Sequence, residues 1–205
     1  MNMQTPVTAD DTDLTLEVCA DDGSRTEFYQ SDPVSVAQVL GFLATPRLFS
    51  QPLFVLASER SVTSIPARSV DMILARMPGA PPLTLPQGWV SAVETSLEAI
   101  HGDLALSEES GPAEAGGRCA SLVEIHTLGD WMIHLRLEML VPSTRQEHRQ
   151  FLPHFFELPV IPFHLKAGGA GFLNPQKITR VTVYPAGNQS PDIALPADLL
   201  RCVRR

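Results

Sequence analysis

From Trp131 to Met139 the chain alternates without a break. Trp131, Ile133, Leu135, Leu137 and Met139 fall on one side of an extended backbone, and Met132, His134, Arg136 and Glu138 on the other. A period of two is the signature of a strand with one buried and one wetter face, because successive side chains of a strand point to opposite sides. The run SLVEIH at 121–126 and the Leu-Gly-Asp turn at 128–130 precede it, so the segment reads as a long β-hairpin. Whatever else the chain does, it must bury one face of an antiparallel sheet.

The first part of the chain carries a shorter version of the same signal. Leu14, Leu16 and Val18 alternate with Thr15 and Glu17, the turn DDGS follows at 21–24, and a second run ends in Phe28 and Tyr29, giving another hairpin. In SDPVSVAQVLGFLATP, Ser31 or Asp32 can cap a helix and Pro33 suits its first turn. Val36, Val39, Leu40 and Leu43 share one face, and Pro46 ends it. PLFVLAS at 52–58 is apolar enough to predict a strand buried on both faces, and VTSIP and SVDMILARM predict two more. In QGWVSAVETSLEAIHGD the spacing of Val90, Val93, Leu97 and Ile100 predicts a helix, with Gly102 as its stop.

The second part repeats this order of signals. After the long hairpin, PSTRQEHRQFLP offers a helix capped by Ser143, with Gln146 at capping-box spacing and Pro153 as the stop. IPFHLKA, the GGAG turn and FLNPQKITRVTVYP then follow. Phe54, Leu56 and Pro66 match Phe163, Leu165 and Pro175 at one offset, and LTLP at 83–86 resembles IALP at 193–196. The expectation is therefore a tandem internal repeat: an α+β fold of two similar halves, each an antiparallel sheet with one helix, related by a pseudo-two-fold axis. The corresponding boundaries are a disordered acidic tail at 1–13, a first half at 14–104, a flexible linker at 105–118 poor in large apolar residues, and a second half at 119–205.

With 205 residues, 44% of them hydrophobic, the chain can build a real core. Its net charge of −8 disfavours nucleic acid and anionic membrane surfaces, and Tyr29, Tyr184, Trp89 and Trp131 are too scattered for a base-stacking platform. The charge is split: residues 1–115 hold 16 acids and 5 bases, whereas residues 116–205 hold 7 acids and 10 bases. That asymmetry allows a homodimer in which unlike halves meet. Cys19, Cys119 and Cys202 lie far apart without CxxC spacing, which argues for a reducing compartment rather than a disulfide framework. Without a basic-then-apolar leader or a run of membrane length, the expected location is the cytoplasm.

Chemistry-bearing motifs are sparse. Five of the six histidines, namely His126, His134, His148, His154 and His164, lie in the second half, and none forms an i, i+2 or i, i+4 ligand pair. His126 and His134 can face one another across their hairpin, so a metal site, if any, would use these two with His164. No GxSxG elbow or catalytic cysteine signature is present, and the strand carboxylates Glu17, Glu124, Glu138 and Glu157 have no sequence-level reason to converge. GGAG between Lys166 and Lys177 lacks the GxGxxG spacing and the following helix of a dinucleotide loop, and reads as a hairpin turn. Lys166, Lys177 and Arg180 are the candidate contacts for a small anion. No cofactor is expected. The reading is a non-enzymatic module that binds an unknown protein segment or small ligand in a groove or at a sheet edge; the alternative is a metal-dependent or hydrolytic enzyme built on the second-half histidines.

Overall fold

A computed structural model of the chain describes residues 13–58, 61–96, 117–140 and 155–184. Strands dominate, at 51% of the described residues. The order is β1 (Leu14–Ala20), β2 (Arg25–Gln30), α1 (Pro33–Leu43), β3 (Leu53–Ala57), β4 (Val62–Pro66), β5 (Val70–Arg76), β6 (Trp89–Glu94), β7 (Arg118–Thr127), β8 (Met132–Leu140), β9 (Ile161–His164), β10 (Ala170–Leu173) and β11 (Ile178–Tyr184). Nine of these make one sheet in the order β11-β7-β8-β6-β9-β10-β5-β1-β2, while β3 and β4 pair separately. All pairings are antiparallel except that of β6 with β9.

This overturns the expectation of two α+β halves. β9 and β10, from the second half, lie between β6 and β5 of the first, so neither half owns a complete sheet. The matched segments also part company: Phe54 sits in the small β3–β4 sheet, whereas Phe163 sits in the middle of the large one. Local signals of the same kind and order do not determine which neighbour a strand finds, because pairing is set by long-range packing.

The helix expected after Gln87 is also corrected. Trp89–Glu94 is strand β6, flanked by β8 and β9, with Ala92 fully buried opposite Leu137. An apolar run of this length fits either state, and here burial between two strands outweighs the helical spacing. The tail at 1–12, almost all of the linker, the helix at 143–153 and the IALP segment lie outside the described residues; Arg118, assigned to the linker, begins β7. The remaining expected helix is α1. Asp32 caps it, accepting the Ser35 N–H at 2.8 Å, Pro33 opens it, and Val36 and Leu43 are buried.

Each face of the large sheet carries a core. On one, Leu14, Leu16, Val18, Ile73, Ala75, Ala170 and Phe172 pack under α1 and the β3–β4 hairpin. On the other, Cys19, Met72, Leu74, Ala92, Val123, Ile125, Ile133, Leu135, Leu137, Ile161, Phe163 and Leu173 form the second cluster, joined by Phe155, which stacks on Trp89. The sheet curls around this second core. β8 and β5 are four places apart, about 19 Å in a flat sheet, yet the tip of the β7–β8 hairpin touches the β1–β5 end: the Trp131 indole N–H donates to the Ala20 carbonyl at 3.0 Å and the Gly129 N–H to Asp71 Oδ2 at 2.7 Å. Register shifts at Cys19/Ala20, Trp89/Ser91 and Ile178/Arg180 accompany the bend. Among the described residues no helix is long and apolar enough to cross a membrane.

Candidate functional site

The histidine-bearing face of β7, β8 and β11 brings Glu124, His126, His134 and Arg180 together. Register decides the arrangement: Glu124 lies opposite His134, His126 opposite Met132, and Arg180 opposite His126. The two histidines are therefore diagonal, with Glu124 between them, because the hairpin pairs about Gly129 and not about Asp130. Glu124 Oε1 lies 2.7 Å from His126 Nε2 and accepts from Arg180 Nη2 at 2.8 Å, while Oε2 is 3.6 Å from His134 Nε2. Burial alone would push the Glu124 carboxyl up; the hydrogen bonds and charges of His126 and Arg180 outweigh it and hold the group below the usual carboxylate range.

Arg180 also presses on His126 Nε2, so a guanidinium stands where a cation would have to sit between these ligands. His164 is three strands from β7, beside Val93 of β6. Among the described residues no group of three or more His, Cys, Asp or Glu side chains is arranged to hold a metal ion. The cluster is an ion-paired patch with a carboxylate already neutralised.

The three cations proposed for an anion do not meet in one cradle. Lys166 precedes β10 on an exposed turn, whereas Lys177 follows β10 and bonds Asp21 through Nζ at 2.6 Å; Arg180 is committed to Glu124. Gly168 and Gly169 have positive φ, and their N–H groups donate to the carbonyls of Leu165 and Gly79 at 3.1 and 2.6 Å, so these two amides are used within the fold. Glu17 is buried between Arg25 and Arg76. Cys19 is buried, and that burial, with the Glu17 charge, pushes its thiol up to about 12; it is a packing residue without thiolate chemistry.

A concave feature among the described residues lies elsewhere. A cleft of about 390 Å³ opens between α1 and β3, floored by Leu16 and Val18 of β1 and Ile73 of β5. Its walls are Val39, Phe42 and Leu43 on one side and four consecutive residues, Leu53 to Leu56, on the other; Gln38 and Gln51 are the polar groups and no charged side chain lines it. Phe42 meets Phe54 edge to face at 6.1 Å, which fixes the helix beside the strand. The volume lies in the range of ligand pockets.

β3 differs from the expected strand in an informative way. Phe54 is 4% exposed, but Leu53 and Val55 are 45% and 59% exposed, so the strand is apolar on both faces and buried on one. A signal for this site was present in the sequence, in the run LFVLA, but it reads equally as an interior strand. Compared with known proteins, the chain matches no family model, no curated protein and no solved structure.

Proposed function

We propose that the protein is a non-enzymatic binding module that holds an apolar segment of a partner protein in the cleft between α1 and β3. The observation that carries this reading is the surplus apolar surface of β3: Leu53 and Val55 stand exposed at the mouth of a cleft whose lining is apolar apart from two glutamines. Exposed large apolar residues at a concave site are what a recognition surface needs and what a simple surface hairpin does not. The cleft runs along four strand residues, about 13 Å at the usual rise per residue, a shape that suits a length of chain better than a compact small molecule. The neutral lining favours an uncharged occupant. In the Glu124 cluster His126 and Arg180 already engage the carboxylate, which favours an ion-paired patch over a catalytic group, although His134 Nε2 and Arg180 Nε lack hydrogen-bond partners among the described residues. Free Cys19 and Cys119 suit a reducing compartment such as the cytoplasm, where we place this activity.

Panning a random peptide library on the full chain tests the proposal. The expected outcome is a set of peptides sharing apolar residues, whose binding falls at least tenfold in Leu53→Glu, a substitution at an exposed position that leaves the fold intact. Peptides that bind wild type and Leu53→Glu alike, or no selection at all, would overturn it.

A further inference from the structure

The backbone of β3 says how the segment is held. In the antiparallel β3–β4 pair, Ser58 N–H donates to the Ser61 carbonyl at 2.8 Å and Ala67 N–H to the Pro52 carbonyl at 3.2 Å. Hydrogen-bonded pairs alternate along such a ladder, so with Phe54 opposite Ile65 and Leu56 opposite Thr63 these residues bond β4. Leu53, Val55 and Ala57 consequently turn their N–H and C=O groups away from β4. No strand among the described residues pairs with that edge. The cleft is lined by Leu53, Phe54, Val55 and Leu56 in succession and by no residue of β4, which places the free edge, rather than one face of the strand, against the cleft.

Free strand edges are ordinarily blunted by charge or proline, and two of the other edges among the described residues are. β2 carries Arg25 and Glu27, and β4 ends in Pro66. The β3 edge has only Leu53, Val55 and Ala57. Unpaired peptide groups beside an apolar cleft call for an occupant that supplies both backbone hydrogen bonds and apolar side chains. That occupant is an extended peptide.

Resting on the binding reading above, we infer that an extended segment of a partner protein, with apolar residues at alternate positions, adds to the free edge of β3 as a third strand and lays those side chains into the cleft under α1. A second copy of this chain fits less well. Its β3 stands beside its own α1, with Phe42 against Phe54 at 6.1 Å, so a second copy would have to bring that helix to the cleft along with the strand.

The test uses a seven-residue peptide of alternating valine and threonine with a lysine at each end, and two isomers N-methylated at alternate residues, one on each backbone edge. The parent is expected to bind the full chain, and only one methylated isomer should lose at least about tenfold in affinity, because a docked strand presents one edge to β3 and each lost hydrogen bond is worth several-fold. Val55→Pro should weaken the parent by a similar factor. The Val55 N–H is not part of the β4 ladder, so the hairpin is expected to survive, as a circular-dichroism spectrum like that of wild type would show. Equal binding of all three peptides would overturn strand addition while leaving an apolar cleft site standing. Failure of the parent would overturn both. A dimer in sedimentation that Val55→Pro converts to monomer would assign the edge to a second copy and overturn the partner segment.

Discussion

Gly129 shows how narrowly single positions are specified. A Cβ built there would come within 2.2 Å of the Ala20 carbonyl oxygen, 2.8 Å of Trp131 Nε1 and 3.0 Å of Asp71 Oδ2, the groups that join the hairpin tip to the β1–β5 end. Gly129→Ala is expected to lose about 2–3 kcal/mol in urea unfolding, since the nearest obstacle is backbone. Asp71, its partner, is fully buried. Burial raises its carboxyl above the ordinary value, an effect the Thr127 hydroxyl and the Gly129 N–H offset in part. The folded chain therefore holds that proton to higher pH than the unfolded chain, and stability falls as pH rises through the window between the two values. Asp71→Asn removes the charge and keeps an acceptor. It should be more stable than wild type at neutral pH, with the difference shrinking as pH is lowered toward about 4, where the unfolded carboxyl also takes up its proton. A gap that stays constant over that range in urea titrations would count against the buried carboxylate. None of this was legible in the sequence: Gly129 read as a turn glycine, and Asp71 as one acid in an apolar run.

At the scale of elements, the alternating patterns transferred well and the ambiguous runs did not. The hairpins β1–β2 and β7–β8 and the helix α1 followed directly from periodicity and capping, because those signals are local. Trp89–Glu94 failed because Val90 and Val93 are spaced three apart in a short run that a β-bulge also accommodates; the register shift between Trp89 and Ser91 is where the strand departs from alternation. Ala92→Leu separates the two readings. In β6 the fully buried Ala92 faces Leu137, so two added branches should cost about 1–3 kcal/mol through overpacking. On a helix with Val90 and Val93 inward, the same change would sit off the apolar face and be tolerated. β3 was legible as a strand and illegible as a site, since sequence counts apolar residues and only the fold reveals which of them remain uncovered. The histidine pairing was displaced for a related reason: a shift of the hairpin centre by one residue puts Glu124, not His126, opposite His134.

For the whole molecule, the decisive fact is that the sheet is interlaced. β10 is the strand between β5 and β9, and β6 is held by β8 and β9, so the first part of the chain on its own would leave β5 with one unpaired edge and β6 with no neighbour at all. The curled core sharpens this. Met72 and Leu74 of β5 and Cys19 of β1 are buried in the same cluster as Val123, Ile125, Leu135 and Leu137, and an isolated first part would expose them. Charge acts in the same direction: Lys177 reaches Asp21 across the junction, tying a basic residue of the second part to the acidic first. A fragment of residues 14–104 is therefore expected to stay unfolded or aggregate, giving no dispersed amide spectrum, whereas adding residues 105–205 in trans should restore dispersion if the strands can interleave. The intact chain should unfold in one transition by fluorescence and circular dichroism alike, because the described strands of the two parts interleave in one sheet. A dispersed, cooperative spectrum from the 14–104 fragment alone would show that β5 and β6 need neither β10 nor β8, and the interlaced sheet would then be the wrong description of how this chain reaches stability.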